Sequence, residues 1–214
     1  MTEILLIRHG ETAWNAQRRL QGFLDIELNA EGARQATLLA LALRNASIDA
    51  VVASDLQRAI ATAQPIAAAH GLPVELDADL RERCFGGFEG LLYDEIAQHF
   101  PQAHQSWMAR EIDARYPPGA HVAETLREFS ARALAAVTKH AARHPAGKIV
   151  IVTHGGVLDC VFRAVHGVAL SKPRDFEIRN TALNRLRWDG ARLHIDAWGG
   201  LEHLSQQARD ELAQ

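Results

Sequence analysis

The chain has 214 residues, 48% of them hydrophobic and 23% charged, the balance of a globular protein long enough to bury a core without disulfide or metal staples. A formal net charge of −3 disfavours nucleic acid or an anionic membrane as partner and confines any anion site to a local basic pocket. Cys84 and Cys160 form no Cys-x-x-Cys, no secretion signal precedes the first strand, and the apolar stretch Leu38 to Leu43 is too short to span a bilayer, so a cytoplasmic location is expected.

The first predicted element is a buried strand, Glu3-Ile4-Leu5-Leu6-Ile7-Arg8, running into His9-Gly10. A polar loop follows from Gly10 to about Leu28. Asn29 reads as the N-cap of an Ala- and Leu-rich helix from Ala30 to about Arg44. Ile48 to Ala53 reads as a second strand, and Ser54 as the cap of a helix from Asp55 to about His70, ended by Gly71 and Pro73. Val74 to Leu76 is a short edge strand. Residues 81–120 are irregular, with a Gly-rich turn and short helical pieces, and read as an excursion over the active face, where specificity would sit. A long helix, about Glu124 to Arg143, turns Leu126, Phe129, Ala133, Leu134 and Val137 to one side.

Lys148 to Thr153 is another buried strand, ending in His154-Gly155, and a helix from about Gly156 to His166 follows. Leu186 and Trp188 alternate against Leu193, Ile195 and Ala197 around Asp189-Gly190, the pattern of a β-hairpin. This order predicts one domain over residues 1–214, a three-layer α/β/α sandwich with a mostly parallel central sheet, a C-terminal hairpin and an excursion at about 83–125. Leu201 to Gln214 reads as a frayed helix, a pocket cover or an interface, and a homodimer is compatible with the chain.

Ligands of open parallel sheets bind outside the carboxyl ends of the strands, so histidines delivered to two neighbouring ends face one pocket. His9 is the candidate nucleophile. An imidazole is reactive only when neutral, and neighbouring cations favour that form. Arg8 beside it supplies one cation and a fork that matches phosphate. Taken alone, Arg58 reads as a solvated helix arginine, and Glu82 between Arg81 and Arg83 as part of a surface charge cluster. Gly155-Gly156 begins a helix, where backbone N–H groups favour an anion. No His-Glu-x-x-His or comparable spacing marks a metal site among the eleven histidines. His70, His99, His104, His140, His144 and His203 read as solvated, Cys84 as a spectator thiol, Trp14 as packing and His121 as a candidate wall residue.

The run Leu6-Ile7-Arg8-His9-Gly10-Glu11-Thr12-Ala13-Trp14-Asn15 resembles the signature of the histidine phosphatase superfamily, which includes the cofactor-dependent phosphoglycerate mutases. Further motifs fall in order: Ser54-Asp55-Leu56-Gln57-Arg58-Ala59, Leu80-Arg81-Glu82-Arg83 and Thr153-His154-Gly155. The resemblance spans roughly residues 2 to 200. It implies that His9 becomes phosphohistidine, that Arg8, Arg58 and His154 hold the equatorial oxygens of the transferring group, and that Asn15 adds a polar contact, with Gly155 beside the phosphate. Glu82 would protonate the leaving alkoxide. Neither a metal nor another cofactor is implied, and the partner expected is a small phosphorylated metabolite.

The mutases of this family resemble one another in carrying a His-Tyr pair after the acid and an adjacent arginine pair in the excursion. This chain has Cys84-Phe85-Gly86-Gly87-Phe88-Glu89-Gly90 after the acid, and Arg110 and Arg115 stand apart with Glu111 and Asp113 between them. That turn, and Asn180-Thr181-Ala182-Leu183, resemble the phosphatase branch. Many relatives carry Gly-Glu-Ser before the long helix, whereas Gly119 is here split from Glu124-Thr125 by Ala120-His121-Val122-Ala123. The expectation is a metal-independent phosphomonoester hydrolase. The alternatives are a phosphoglycerate mutase, a protein-phosphohistidine phosphatase, or a non-catalytic phosphate-binding regulator.

Overall fold

In the computed structural model, which describes residues 1–204, strand β1 (Thr2–Arg8) lies beside strand β4 (Lys148–Thr153) in parallel, with Arg8 opposite Thr153. Both are near-continuous apolar runs because helices cover both of their faces, as the interior of a parallel sheet requires. Strand β2 (Ala50–Ala53) pairs with the far edge of β4, and β3 (Val74–Leu76) pairs with β2, both parallel. Strands β5 (Leu183–Trp188) and β6 (Leu193–Gly200) add the antiparallel hairpin beside β1. The sheet is thus mixed and six-stranded, in the order β3-β2-β4-β1-β5-β6. Leu186 opposes Ile195 and Trp188 opposes Leu193, the register that the alternation predicts.

Alternation along the strands separates two cores. Ile4, Leu6, Ile149 and Ile151 belong to the core formed with helices α6 (Leu126–Arg143) and α7 (Gly155–His166). Leu5, Ile7, Val150 and Val152 meet helices α2 (Ala30–Leu43) and α3 (Gln57–His70) on the opposite face. This is the expected α/β/α sandwich. Truncating a wholly buried strand residue such as Ile151 to Ala should cost about 2–5 kcal/mol, which denaturant unfolding would read.

The excursion carries helices α4 (Tyr93–His99) and α5 (Pro101–Met108) and a tight helical turn at Gly86–Phe88. Phe88, Ile96, Tyr116 and Ala123 form a third apolar cluster there with Leu20, joining the excursion to the Gly10–Leu28 loop. Glu89 reinforces that join, because its Oε1 accepts from the Phe23 and Phe85 amides at 3.0 and 2.8 Å. Beneath the same loop, a Cβ on Gly10 would lie 2.6 Å from Gly32 O, and one on Gly32 would lie 2.0 Å from Glu11 O. The loop and the first turn of α2 therefore meet backbone to backbone.

Several local expectations are corrected. Ser54 does not cap α3, whose N-cap is Leu56; the Gln57 amide donates instead to Asp25 Oδ1 at 2.7 Å. The Gly10–Leu28 loop contains a short helix, α1 (Ala13–Gln17), closed by a Thr12–Asn15 capping box. With five residues and no buried side chain, it has no apolar periodicity to reveal it. His140 and His203 are buried rather than solvated. His140 continues the buried stripe of α6 three residues beyond Val137, and its Nε2 lies 2.6 Å from Asp77 Oδ2. Of the C-terminal stretch read as helix, cover or interface, residues 205–214 lie outside the described residues.

Candidate active site

Because β1 and β4 are in register, their next residues leave the sheet at one level. His9 N–H donates to Thr153 O at 2.9 Å, and the His9 and His154 rings stand 5.1 Å apart between centroids. Both histidines are buried. His9 Nδ1 is 2.7 Å from Gly10 O, which can only accept. The proton therefore sits on Nδ1 and the lone pair on Nε2, a tautomer assigned from the bonding. Burial, and then the Arg58 and Arg8 charges, hold the His9 pKa well below the ordinary imidazole value. A neutral imidazole with one lone pair is a nucleophile.

His154 Nε2 lies 2.8 Å from the Ser54 hydroxyl, which also accepts, at 3.4 Å, from the Leu56 amide. With the serine proton given to Nε2, a tautomer assigned from the bonding, the His154 proton sits on Nδ1. Burial, followed by the Arg58 charge, keeps His154 neutral as well. Arg8 reaches the Ile178 carbonyl with Nη1 at 2.8 Å. Arg58 gives Nη1 and Nη2 to the Leu24 and Gly22 carbonyls at 2.8 and 2.7 Å, and burial lowers its pKa to about 10. After these bonds, Arg8 Nε, Arg58 Nε and His154 Nδ1 remain buried without a partner among the described residues. Buried donors are seldom left unsatisfied. These three belong to the residues that the motifs assign to the phosphoryl oxygens.

Glu82 resolves from its charged neighbours once they are placed. Arg81 forks onto Asp55 at 2.7 and 2.6 Å, and Arg83 turns to the Glu124 carbonyl and the Tyr116 hydroxyl. Arg132 of α6 holds the Asp79, Arg81 and Glu82 carbonyls, while Thr153 Oγ1 donates to Leu80 O. The segment is thus clamped, and the Glu82 carboxylate accepts from the Gly156 amide at 3.0 Å and from the Arg83 amide at 2.8 Å. Gly156 is a close approach: a Cβ there would stand 2.1 Å from Glu82 Oε1 and 2.9 Å from Phe129. Of the two helix-start amides expected to face an anion, that of Gly156 is taken by the acid. Gly155 lines the pocket.

His9, Arg8, Arg58, Glu82, Gly155 and Asn15 all line one cavity of about 500 Å³. His154 is not among the lining residues, its ring standing 5.1 Å from that of His9. Asn15 Oδ1 accepts from both the amide and the hydroxyl of Thr12, so its Nδ2 is the part able to donate inward. Reading the sequence alone missed three contributors: Ser54 as the partner of His154, and Thr62 and Asn180, which bond the His9–Gly10 peptide. Ser54 and Asn180 each stood within a motif, whereas Thr62 stood in none. Trp14 lines the pocket mouth, whereas Cys84 is buried outside it with its thiol pushed up to about 11 by burial. His121 is exposed, edge-on to Phe23, and does not line the cavity.

A family model described as the histidine phosphatase superfamily (branch 1) matches residues 4–200. The chain belongs to the histidine phosphatase superfamily. Its similarity to members is long as well as local. Phosphoglycerate mutase-like protein 4 of Arabidopsis thaliana is 40% identical over 95% of this chain and 87% of its own length. A metal-independent phosphoserine phosphatase of the same plant is 33% identical over 96% of this chain and 84% of its own. Among solved structures, Bacillus stearothermophilus YhfR superposes with a TM-score of 0.86 at 32% identity, covering 95% of this chain and all of that one. The solved structures it resembles share the fold described above, and the comparisons support a phosphatase.

Proposed function

We propose that this protein is a metal-independent phosphomonoesterase that acts on a small phosphorylated metabolite through a phosphohistidine at His9. The observation that carries the reading is a neutral His9 Nε2 sharing one cavity with Arg8 and Arg58, with a buried nitrogen lacking a partner among the described residues on each of these arginines and on the neighbouring His154. Phosphoryl transfer demands positioning and positive charge more than covalent machinery. In the first step the Nε2 lone pair forms an N–P bond, the ester O–P bond breaks, and Glu82 gives a proton to the departing alkoxide. In the second step water attacks phosphorus, Glu82 takes back a proton, and the N–P electrons return to His9 as inorganic phosphate leaves.

The excursion supports hydrolysis over isomerisation. A mutase must hold a second anionic group on the intermediate. Here Arg110 is taken by Asp159 at 2.9 Å and by the Leu170 carbonyl at 2.7 Å, and Arg115 pairs with Glu128 outside the pocket lining. The test follows 3-phosphoglycerate and O-phosphoserine by phosphorus NMR, with 2,3-bisphosphoglycerate as primer and His9→Ala as control. Free phosphate without 2-phosphoglycerate is expected, unchanged by EDTA. Isomerisation without phosphate release would make the protein a mutase.

A further inference from the structure

The His9–Gly10 peptide is pinned from both sides by side chains, one of which, Asn180, also lines the cavity. Asn180 Nδ2 donates to His9 O at 2.7 Å, and the Gly10 amide of the same peptide unit donates to Thr62 Oγ1 at 2.9 Å. Thr62 is itself fixed, because its hydroxyl proton goes to Arg58 O at 2.7 Å and its oxygen must therefore face Gly10. Thr62 is wholly buried. Asn180 is followed by Thr181, a non-glycine residue at φ +55 whose amide holds Arg8 O at 2.9 Å. A non-glycine residue in left-handed backbone persists where its surroundings require it.

The next carbonyl along, Gly10 O, is the group that takes the His9 Nδ1 proton. Rotation of the 9–10 peptide would carry the chain at Gly10 away from that bond. We propose that Asn180 and Thr62 are positioning residues which lock the His9–Gly10 peptide, and through it keep the His9 lone pair on Nε2. This rests on the phosphohistidine reading above. It assigns to two residues from distant elements, the loop before β5 and the middle of α3, a single task at the nucleophile.

The test uses full-length Asn180→Ala and Thr62→Val, with Thr62→Ser as the rescue. Hydrolysis of p-nitrophenyl phosphate is measured beside nitrogen NMR of the His9 ring in labelled protein. The expected result is a fall in kcat of about ten- to a hundredfold with KM changed much less, the scale of a misplaced reacting group. The His9 signals should shift from the Nδ1–H tautomer toward a mixture, and Thr62→Ser should restore both readouts. Variants that keep kcat, or that lose it while the His9 tautomer stays unchanged, would overturn the inference. If Thr62→Val does not fold, Asn180→Ala alone decides on the same criteria. Wild-type protein that releases no phosphate would overturn the hydrolase reading, and this inference with it.

Discussion

At the strand ends, Arg58 and His154 are buried and Arg8 is half-buried, and each keeps one buried nitrogen without a partner among the described residues. On the excursion, Arg83, Arg110 and Arg115 all have protein partners: the Glu124 carbonyl, Asp159 and Glu128. Arg18 and Arg174 at the rim are exposed, where solvent and salt screen them. On the proposed reading, charge in the floor is arranged for a ligand and charge in the wall for the fold. The same residue type does different work according to whether its donors are already satisfied.

The sharpest way to break this comparison is at the floor. His9→Ala should reduce turnover by about four orders of magnitude or more and abolish phosphate labelling of the chain. Persistent labelling in that variant would remove the covalent route. Glu82→Gln should slow alkyl phosphates by about 10²–10⁴-fold while p-nitrophenyl phosphate, whose leaving group needs little protonation, is slowed far less. Gly156→Ala should reproduce that selectivity, since the new Cβ displaces the carboxylate; equal slowing of both substrates would argue against the acid role. Arg58→Lys should lose about 10²–10³-fold in kcat/KM, because a single ammonium cannot replace the fork that bonds the Leu24 and Gly22 carbonyls and still present a further donor.

Arg110→Ala, at the wall, should cost less than about tenfold in release of phosphate from p-nitrophenyl phosphate, a loss of the size of one peripheral contact. A loss comparable with Arg58→Lys would erase the distinction between floor and wall. The smallest effect expected is on stability. Burial holds His9 and His154 neutral, so their folded pKa values lie below the ordinary 6.5. The unfolded chain then binds protons first as pH falls, and the stability present above about 6.5 declines toward the folded values. Tm should drop between about pH 7 and pH 5, and less steeply in His154→Asn. Parallel curves would show that these histidines do not carry the dependence.

How much of this was legible depended on whether neighbours in sequence or in space set the outcome. The strands ending in His9 and His154 could be read because burial on both faces demands an unbroken apolar run. The hairpin register could be read because alternation fixes it. Glu82 could not be read from its surroundings, since Arg81 and Arg83 look like its partners until Asp55 and the Glu124 carbonyl claim them. Ser54 has the composition of a helix cap, yet its hydroxyl goes to a histidine a hundred residues away. His203 is buried against Thr181, a contact that no local pattern announces.

The contact between Gly10 and Gly32 bears on how this chain can drift in sequence. Gly32 lies in the first turn of α2, among residues with no chemistry of their own, and a substitution there would look harmless. Any side chain at that position must displace the Glu11 carbonyl and with it the loop that carries the nucleophile. A survey of all single substitutions should therefore find Gly32 as intolerant as His9, one for want of space and the other for want of a lone pair. Tolerance to mutation would mark out a functional unit larger than the pocket.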